Sequence, residues 1–289
     1  MLLLNDRKII EISGQDRYKF LQGLITNDIY KSRSDNLIYS AMLNAKGRFL
    51  YDFFIFSDES KIYLDCYQLR VDEIIAKLKL YKLRSKIDIV RNDKMLVAFI
   101  EKDLECNLSA KFFAEFFDPR CKDLGKRVYF IKNEATKEKY ISDQSQYHKL
   151  RINNKIAEGE YDLTYEKSLI LEFAFDDLNA VNYDKGCYVG QELTARTHHL
   201  GQIRKKIYII EIANISQIFS EKEIKKVANQ TNLLKNSELI YNNNVAGIIL
   251  SSIIEEDKII ALALIKDLEG KFDNNLLSLT FKEHPVKFR

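Results

Sequence analysis

Residues 184–199 place a single thiol among polar and charged side chains, in the sequence Asp-Lys-Gly-Cys-Tyr-Val-Gly-Gln-Glu-Leu-Thr-Ala-Arg-Thr-His-His. The thiol belongs to Cys187, in a predicted turn between two glycines, Gly186 and Gly190, that would let the backbone pass close to a ligand or take a positive φ. Thiol chemistry requires the thiolate, which a neighbouring cation stabilises, and Lys185 and Arg196 are the candidate cations. A single cysteine beside a glycine is more often a small, buried apolar residue. The polar surroundings therefore leave a reactive thiol and a packing role as about equal alternatives.

The pattern of apolar residues along the chain predicts an α+β fold, whose strands and helices must position this thiol. Apolar runs at strand-like or helical spacing occur at residues 8–13, 18–25, 38–43, 48–57, 61–66 and 71–80. A turn containing Gly47 separates the third and fourth runs, which is a hairpin signal. Strands and helices in this order favour mixed or antiparallel sheets over a doubly wound sheet. The chain contains no G-x-G-x-x-G or Walker loop, so a nucleotide site has no sequence support.

After residue 201 the pattern changes to short strands separated by polar turns. The strand-like runs are residues 205–212, 237–241, 243–250, 258–264 and 275–281. Such spacing predicts a small β-barrel. We therefore predict two regions, residues 1–200, which we expect to comprise two subdomains, and a C-terminal β-barrel domain at residues 201–289.

Composition argues against several classes of function. The 289 residues are 46% apolar, which suffices for a substantial core, and 30% charged with a net charge of +3. A nearly balanced charge gives no electrostatic footprint for nucleic acid. No apolar run approaches the roughly 20 residues needed to span a bilayer. We expect neither a nucleic acid nor a membrane as a partner.

The cysteines are dispersed, at Cys66, Cys106, Cys121 and Cys187, and form no C-x-x-C pair. This pattern predicts reduced thiols and argues against a zinc site built from these cysteines alone. The beginning of the chain resembles neither a secretory signal nor an Arg- and Ser-rich transit peptide. We therefore expect a cytoplasmic protein.

Asp52 interrupts an aromatic run at residues 49–56. A carboxylate among aromatic side chains costs several kcal/mol if it loses water without gaining a partner. It must therefore be exposed, paired or functional. The residues alone favour an edge or pleat-face position open to water.

Residues 185–192, Lys-Gly-Cys-Tyr-Val-Gly-Gln-Glu, resemble the signature of the YgfZ family of folate-binding, iron–sulfur-maturation proteins. Residues 193–199 are similar to its mitochondrial and alphaproteobacterial branch. That family is related in fold to the T-protein, the aminomethyltransferase of the glycine cleavage system. The resemblance extends over most of the chain. It implies a T-protein-like, multidomain arrangement with a folate-binding N-terminal part.

The resemblance also implies which residues form the site. The stretch from Asn44 to Asp52 is similar to the T-protein segment that meets the pterin of folate, but Tyr51 stands where that enzyme has a second acid. The T-protein motif Arg-x-Gly-Tyr-Thr-Gly-Glu is also absent from the sequence. Cys187 and Lys185 are the expected chemical groups. The implied folate-binding residues are Asn44, Asp52, Arg84, Glu172, Tyr188, Gln191, Glu192 and Arg196.

Three functions stay open on the sequence. The resemblance favours a tetrahydrofolate-binding factor for assembly or repair of iron–sulfur clusters, a role that need not be enzymatic. Because such a cluster is typically held by four ligands, Cys187 would share it with an A-type carrier protein that serves client iron–sulfur enzymes. The alternatives are a folate-dependent aminomethyl or one-carbon transferase, and a scaffold in which Cys187 only packs. The oligomeric state stays open, with a monomer as the working expectation.

Overall fold

The computed structural model describes residues 1–33, 36–102, 113–131, 143–201, 203–228, 234–266 and 279–289. The chain divides into two compact units. The first contains Met1–Gln144, Tyr165–Lys167 and Asp176–Ala195, and the second contains Ser145–Thr164, Ser168–Phe175 and Arg196–Arg289. The units alternate along the chain between residues 145 and 195. The single domain boundary after residue 200 stays a prediction.

Two antiparallel sheets build the first unit. Its described strands are β1 (Leu2–Leu3), β2 (Arg7–Ser13), β3 (Ile38–Leu43), β4 (Phe49–Ser57), β5 (Lys61–Tyr67), β6 (Asp88–Asn92), β7 (Met95–Glu101), β8 (Ala114–Phe117) and β9 (Gly125–Ile131). The strand order is β3-β4-β5-β2-β6 in one sheet and β1-β7-β9-β8 in the other. The predicted hairpin is confirmed, since β3 pairs with β4 from Ile38 opposite Ile55 to Leu43 opposite Phe49.

The helices of this unit are short. Helix α1 is Arg17–Gln22 and α2 is Val71–Lys82, with 3₁₀ turns at Ile29–Ser32 and Gln68–Arg70. Helix α2 buries Val71, Ile74 and Leu78 in the main core of the unit. Strand β4 contributes Phe53 and Ile55 to the same core. Apolar residues at helical spacing therefore cover one face of the five-stranded sheet.

The other face of β4 packs on aromatic and charged groups from the second sheet. The Phe56 ring centroid lies 4.5 Å from that of Tyr129 in β9. The Phe54 ring lies 3.5 Å from the Arg127 guanidinium carbon. Both faces of β4 are thus covered, because alternate side chains of one strand point to opposite faces. This explains why the strand is a nearly continuous apolar run.

A buried ion network joins β2, β5 and β9. Asp65 is fully buried and accepts a hydrogen bond from Arg7 Nε at 2.7 Å and another from Arg127 Nη1 at 2.8 Å. The Tyr129 hydroxyl donates to the same carboxylate at 3.1 Å. A buried charge is tolerated only when paired and hydrogen-bonded, and Asp65 meets that condition.

The second unit contains a closed barrel and several short helices. Its helices are α3 (Ser145–Asn153), α4 (Gly159–Asp162), the C-terminal part of α5 (Gln191–Leu200), α6 (Ile215–Ile218) and α7 (Glu221–Ala228), with a 3₁₀ turn at Ile170–Phe173. Helix α5 contains the division between the units, after Ala195. The strands are β10 (Lys205–Ala213), β11 (Glu238–Tyr241), β12 (Asn244–Glu255), β13 (Lys258–Lys266), β14 (Thr280–Phe281) and β15 (His284–Phe288).

The predicted C-terminal barrel is confirmed. Its strand order is β10-β13-β12-β11-β14-β15, and β15 pairs back with β10 to close it. Small residues on β13, Ala261 and Ala263, pack in its core with Ile210 and Ile212 of β10. The predicted strand at 275–281 is described only from Leu279 onward, and residues 275–278 lie outside the described part. Antiparallel sheets, few helices and this barrel confirm the α+β class.

Within the described part of the chain, no helix combines the length and apolar character needed to cross a membrane.

Candidate functional site

Lys185 binds the segment that carries the thiol to the backbone around the end of α1. We call residues 185–192 the motif segment. The Lys185 ammonium donates to three backbone carbonyl oxygens, those of Gln22 at 2.7 Å, Ile25 at 2.6 Å and Asn27 at 2.9 Å. Gln22 is the last residue of α1, where carbonyls lack helical partners and a cation is favourable. All three N–H groups of the ammonium are thus bound to the backbone around the end of α1.

Burial changes the acidity of this ammonium. It lowers the pKa of Lys185 from its ordinary value of 10.5 to about 8, and the nearby Asp28 carboxylate opposes the change. The ammonium also lies 5.0 Å from the Tyr188 ring centroid. These contacts give Lys185 a positioning role, and its expected part in thiol chemistry stays a prediction.

Two glycines allow the motif segment to pack closely against the β3–β4 hairpin. Gly190 has φ +83°, and a β-carbon there would come within 2.5 Å of the Asn44 carbonyl oxygen. Gly47 has φ +69°, and a β-carbon there would lie 3.0 Å from the Gly190 carbonyl oxygen. In addition, Val189 N–H donates to the Gly23 carbonyl at 3.1 Å. The positive φ expected at Gly190 is confirmed, whereas Gly186 has open space at its β-carbon position.

Cys187 is exposed at the surface of the first unit. Beyond it, Tyr188 N–H donates to Gln191 Oε1 at 3.1 Å and Gln191 N–H donates to the Tyr188 carbonyl at 3.2 Å, so α5 begins with a closed turn. Burial raises the pKa of Tyr188 to about 12. Glu192 is exposed. A thiol that projects from a fixed turn does not have the buried position that the packing interpretation requires.

Asn44 is part of the hairpin turn. Its side-chain oxygen accepts hydrogen bonds from the backbone N–H groups of Lys46 and Arg48, both at 3.0 Å. An Asx turn of this kind uses the side chain to shape the backbone. Asn44 therefore lies next to the motif segment, with Gly190 against its carbonyl oxygen, but these hydrogen bonds serve the turn.

The expected exposure of Asp52 is wrong. Asp52 is only 4% exposed, and its carboxylate accepts a hydrogen bond from the Tyr39 hydroxyl at 2.8 Å. The second sheet covers the face of β4 that sequence spacing alone left open to water. Tyr51, the neighbouring residue, points to the opposite face and donates to Glu73 Oε1 at 2.6 Å. Tyr51 and Asp52 therefore cannot act as an adjacent pair on one ligand.

A cavity of about 580 Å³ lies at the edges of the two sheets, and we call it the Tyr39 cavity. None of the ten predicted site residues is among its described lining residues. These are Asn27, Lys31, Asn36, Leu37, Ile38, Tyr39, Glu115, Phe116, Phe117, Asp118, Pro119, Lys122, Lys126, Asn179 and Val181. The sequence did not predict these lining residues, because they come from three segments that are far apart in the chain. The sequence signal for an aromatic-lined site here is the pair Phe116 and Phe117 directly before Asp118.

Asn27 connects this cavity to the motif segment. Its side-chain amide donates to the carbonyls of Tyr39 at 2.8 Å and Asn179 at 2.7 Å. Its own carbonyl accepts from the Lys185 ammonium. The Tyr39 hydroxyl in turn reaches Asp52. The thiol-bearing segment and the cavity wall are thus two parts of one hydrogen-bonded framework.

The remaining predicted residues lie elsewhere. Arg84 is exposed and borders a separate groove with Phe20. Glu172, in the 3₁₀ turn, and Arg196 both belong to the second unit. Tyr188, Gln191 and Glu192 belong to the motif segment together with Cys187 and Lys185, and the structure brings Asn44 next to that segment. It places Asp52 behind Tyr39 and does not bring Arg84 to the cavity.

Comparison with known proteins decides the family. No family model matches the chain. The iron–sulfur cluster assembly factor IBA57 homolog, mitochondrial, of Mycosarcoma maydis is 33% identical, with 70% of this chain and 54% of that protein covered. The homolog of Dictyostelium discoideum is 32% identical, covering 71% and 60%. That of Pyricularia oryzae is 33% identical, covering 71% and 55%.

The chain belongs to the YgfZ-type family. The resemblance found in the motif segment is thereby confirmed. In each of these three alignments the chain spans less than two thirds of the relative's own length. The relatives are named as mitochondrial proteins, which contradicts the expected cytoplasmic location. Dispersed cysteines indicate a reducing environment, and that does not specify the compartment.

A solved structure supports the fold. The glycine cleavage system aminomethyltransferase T from Bartonella henselae matches this YgfZ-type chain with a TM-score of 0.67. The match covers 92% of this chain and 77% of that one at 11% sequence identity. The predicted T-protein-like fold is confirmed. At this identity the likeness concerns the fold alone.

Proposed function

We propose that this protein takes part in iron–sulfur cluster assembly and offers Cys187 as one thiolate ligand to a cluster shared with a carrier protein. The observation that carries the proposal is the exposed thiol on a segment fixed by Lys185 and Gly190. The names of its relatives, as iron–sulfur cluster assembly factors, support the same process.

The ligand count supports a shared cluster. Iron–sulfur clusters are typically held by four protein ligands. Among the described residues, no group of three or more His, Cys, Asp or Glu side chains could hold a metal ion. Cys187 can therefore fill one position, and a partner must bring the others. An A-type carrier with its own cysteines fits that requirement, and client iron–sulfur enzymes would receive the cluster.

We also propose that a reduced folate binds in the Tyr39 cavity. A volume of about 580 Å³ lies within the usual range for small-molecule sites, roughly 300–1,000 Å³. Phe116 and Phe117 offer apolar surface to a pterin or an aminobenzoyl ring, and Lys31 and Lys122 suit glutamate carboxylates. Asp52 would act indirectly, by fixing the Tyr39 hydroxyl. When bound, the folate supplies a carrier for one-carbon units.

The test is anaerobic reconstitution with an A-type carrier, followed by size-exclusion chromatography and iron analysis. We expect wild type and Cys187→Ser to fold alike and only wild type to form an iron-containing complex. Cys121→Ser is the matched control, since Cys121 is a partly exposed thiol of the same unit. Retention of iron in the Cys187→Ser complex would refute the shared-cluster proposal.

Folate-dependent aminomethyl transfer is the second candidate, favoured by the fold shared with an aminomethyltransferase. The site favours it less, because Tyr51 turns away from Asp52 toward Glu73. An assay with a lipoylated, aminomethylated carrier and tetrahydrofolate distinguishes the two. Release of ammonia and methylenetetrahydrofolate would establish the transferase; their absence in a folate-binding preparation would exclude it.

A further inference from the structure

Basic residues are concentrated at the end of α2 and around the groove beside it, and all of them are exposed except Lys82, which is half-buried. The cluster, which we call the basic patch, is Lys19, Lys79, Lys82, Arg84 and Lys86. No acidic residue occurs between positions 74 and 87. Within the described part of the chain, none of these five side chains forms an ion pair. Their charges are therefore available to a binding partner.

The basic patch also exposes large apolar side chains. Leu80 is 78% exposed and Leu83 is 88% exposed. Leu80 belongs to the last turn of α2, and Leu83 is the first residue after the helix. Single exposed leucines are ordinary. Two leucines that are almost fully exposed, close to cations without ion-pair partners, resemble the apolar centre and polar rim of an interface.

Leu83 is held in a strained conformation. Its φ is +45° and its ψ is −110°, outside the regions that residues other than glycine adopt readily. Such strain costs about 1–3 kcal/mol and clusters at functional sites. Here it ends α2 abruptly and leaves the leucine side chain in water.

A groove of about 720 Å³ lies beside this leucine. Its described lining residues are Asp16, Lys19, Phe20, Leu83, Arg84 and Ser85. Phe20 is 8% exposed, and thus forms a buried apolar floor, while Lys19 and Arg84 provide cations at the sides. Asp16 also lines the groove, and its carboxylate accepts a hydrogen bond from the backbone N–H of Lys86 at 2.7 Å. The groove can thus take one apolar side chain and hold carboxylates next to it.

We propose that the basic patch docks a segment of another protein that carries carboxylates on either side of an apolar side chain. Charge complementarity selects an acidic partner, because the five cations of the patch outnumber Asp16, the one carboxylate among the described lining residues of the groove. Phe20 is only 8% exposed, so a partner contacts it by inserting a side chain, which a protein segment supplies. This inference stands independently of the cluster chemistry at Cys187.

The probe is a fluorescein-labelled amphipathic peptide of glutamate and leucine, measured by fluorescence anisotropy with the full chain. A peptide with glutamine for every glutamate is the control. We expect saturable binding of the acidic peptide, weakened at least about tenfold by Leu83→Gly and by the double variant Arg84→Glu/Lys86→Glu. Glycine accepts the positive φ of Leu83, so the variant remains folded. Lys287→Glu, an exposed charge reversal in the second unit, should change the affinity less than about twofold.

Three results would overturn the proposal. The first is peptide affinity that neither variant changes. The second is binding to vesicles of phosphatidylcholine and phosphatidylglycerol without binding to the peptide, which would assign the patch to a lipid surface. The third is self-association in light scattering that Leu83→Gly abolishes, which would assign it to a second copy of this chain.

Discussion

Gly190 lies so close to Asn44 that a β-carbon on the glycine would stand 2.5 Å from the asparagine carbonyl oxygen. This contact fixes where the thiol-bearing segment meets the β3–β4 hairpin. Both partners are backbone, so neither can move aside as a flexible side chain could.

We expect Gly190→Ala to destabilise the first unit and displace the motif segment. The methyl group would clash with Asn44, and φ +83° is unfavourable for alanine, so the loss should exceed about 2 kcal/mol. Gly186→Ala is the matched control, because its β-carbon would meet no atom within 4 Å and its φ is not positive. Urea unfolding of both variants measures the difference. Equal stabilities would show that the hairpin contact does not position the segment.

We expect Lys185→Met to lower the free energy of unfolding by about 1–3 kcal/mol near pH 7, because three carbonyl oxygens lose their donor. The pH dependence has a defined sign. Burial lowers the pKa of Lys185 to about 8 in the folded state, against 10.5 ordinarily. Between these values the unfolded chain binds more protons, so this group makes wild type more stable as the pH rises.

Denaturant unfolding of both proteins from pH 7 to pH 10 checks this sign. The difference between wild type and Lys185→Met should grow with pH across that window. A constant or shrinking difference would contradict the lowered pKa. Lys46→Met serves as the control, since Lys46 is an exposed lysine at the tip of the neighbouring hairpin.

We expect Asp65→Ala to cost roughly 3–5 kcal/mol, because Arg7 and Arg127 would keep buried charges without their shared carboxylate. Thermal and denaturant unfolding measure the loss. Asp93→Ala is the control, since its side chain pairs with Arg91 at the surface and should matter by less than about 1 kcal/mol. Similar effects of the two variants would mean that the network does not hold β5 to β9.

We expect Lys31→Gln/Lys122→Gln to weaken binding of tetrahydrofolate triglutamate about tenfold and of the monoglutamate much less. The reason is that added glutamates bring charge that these lysines would meet at the Tyr39 cavity. Calorimetry with both ligands measures the two affinities. Lys287→Gln, an exposed position of the second unit outside the cavity, is the control. Unchanged affinity for both forms would remove these lysines from the folate proposal.

The sequence predicts well what depends on nearby residues. The β3–β4 hairpin follows from two apolar runs around Gly47, and the glycine at position 190 indicates a positive φ. The barrel follows from regularly spaced short strands. Each of these signals lies within a few residues of the feature that it predicts.

The placement of Asp52 and Lys185 depends on distant residues and could not be predicted in the same way. Asp52 is buried because β9, more than 70 positions later, covers its face of β4. Lys185 meets carbonyls 158–163 positions earlier in the chain. The position of Lys185 two residues before Cys187 suggested that its charge stabilises the thiolate. In the folded chain its ammonium binds backbone carbonyls at and after the end of α1.

The short helix α1 therefore contributes to two separate features of the first unit. Phe20 and Lys19 belong to the groove of the basic patch, and Gln22 is tied to the ammonium two residues before Cys187. Fewer than roughly two helical turns separate these points. Because Lys185 binds the carbonyl of the last residue of α1, any displacement of this helix at the groove would also displace the backbone two residues before Cys187.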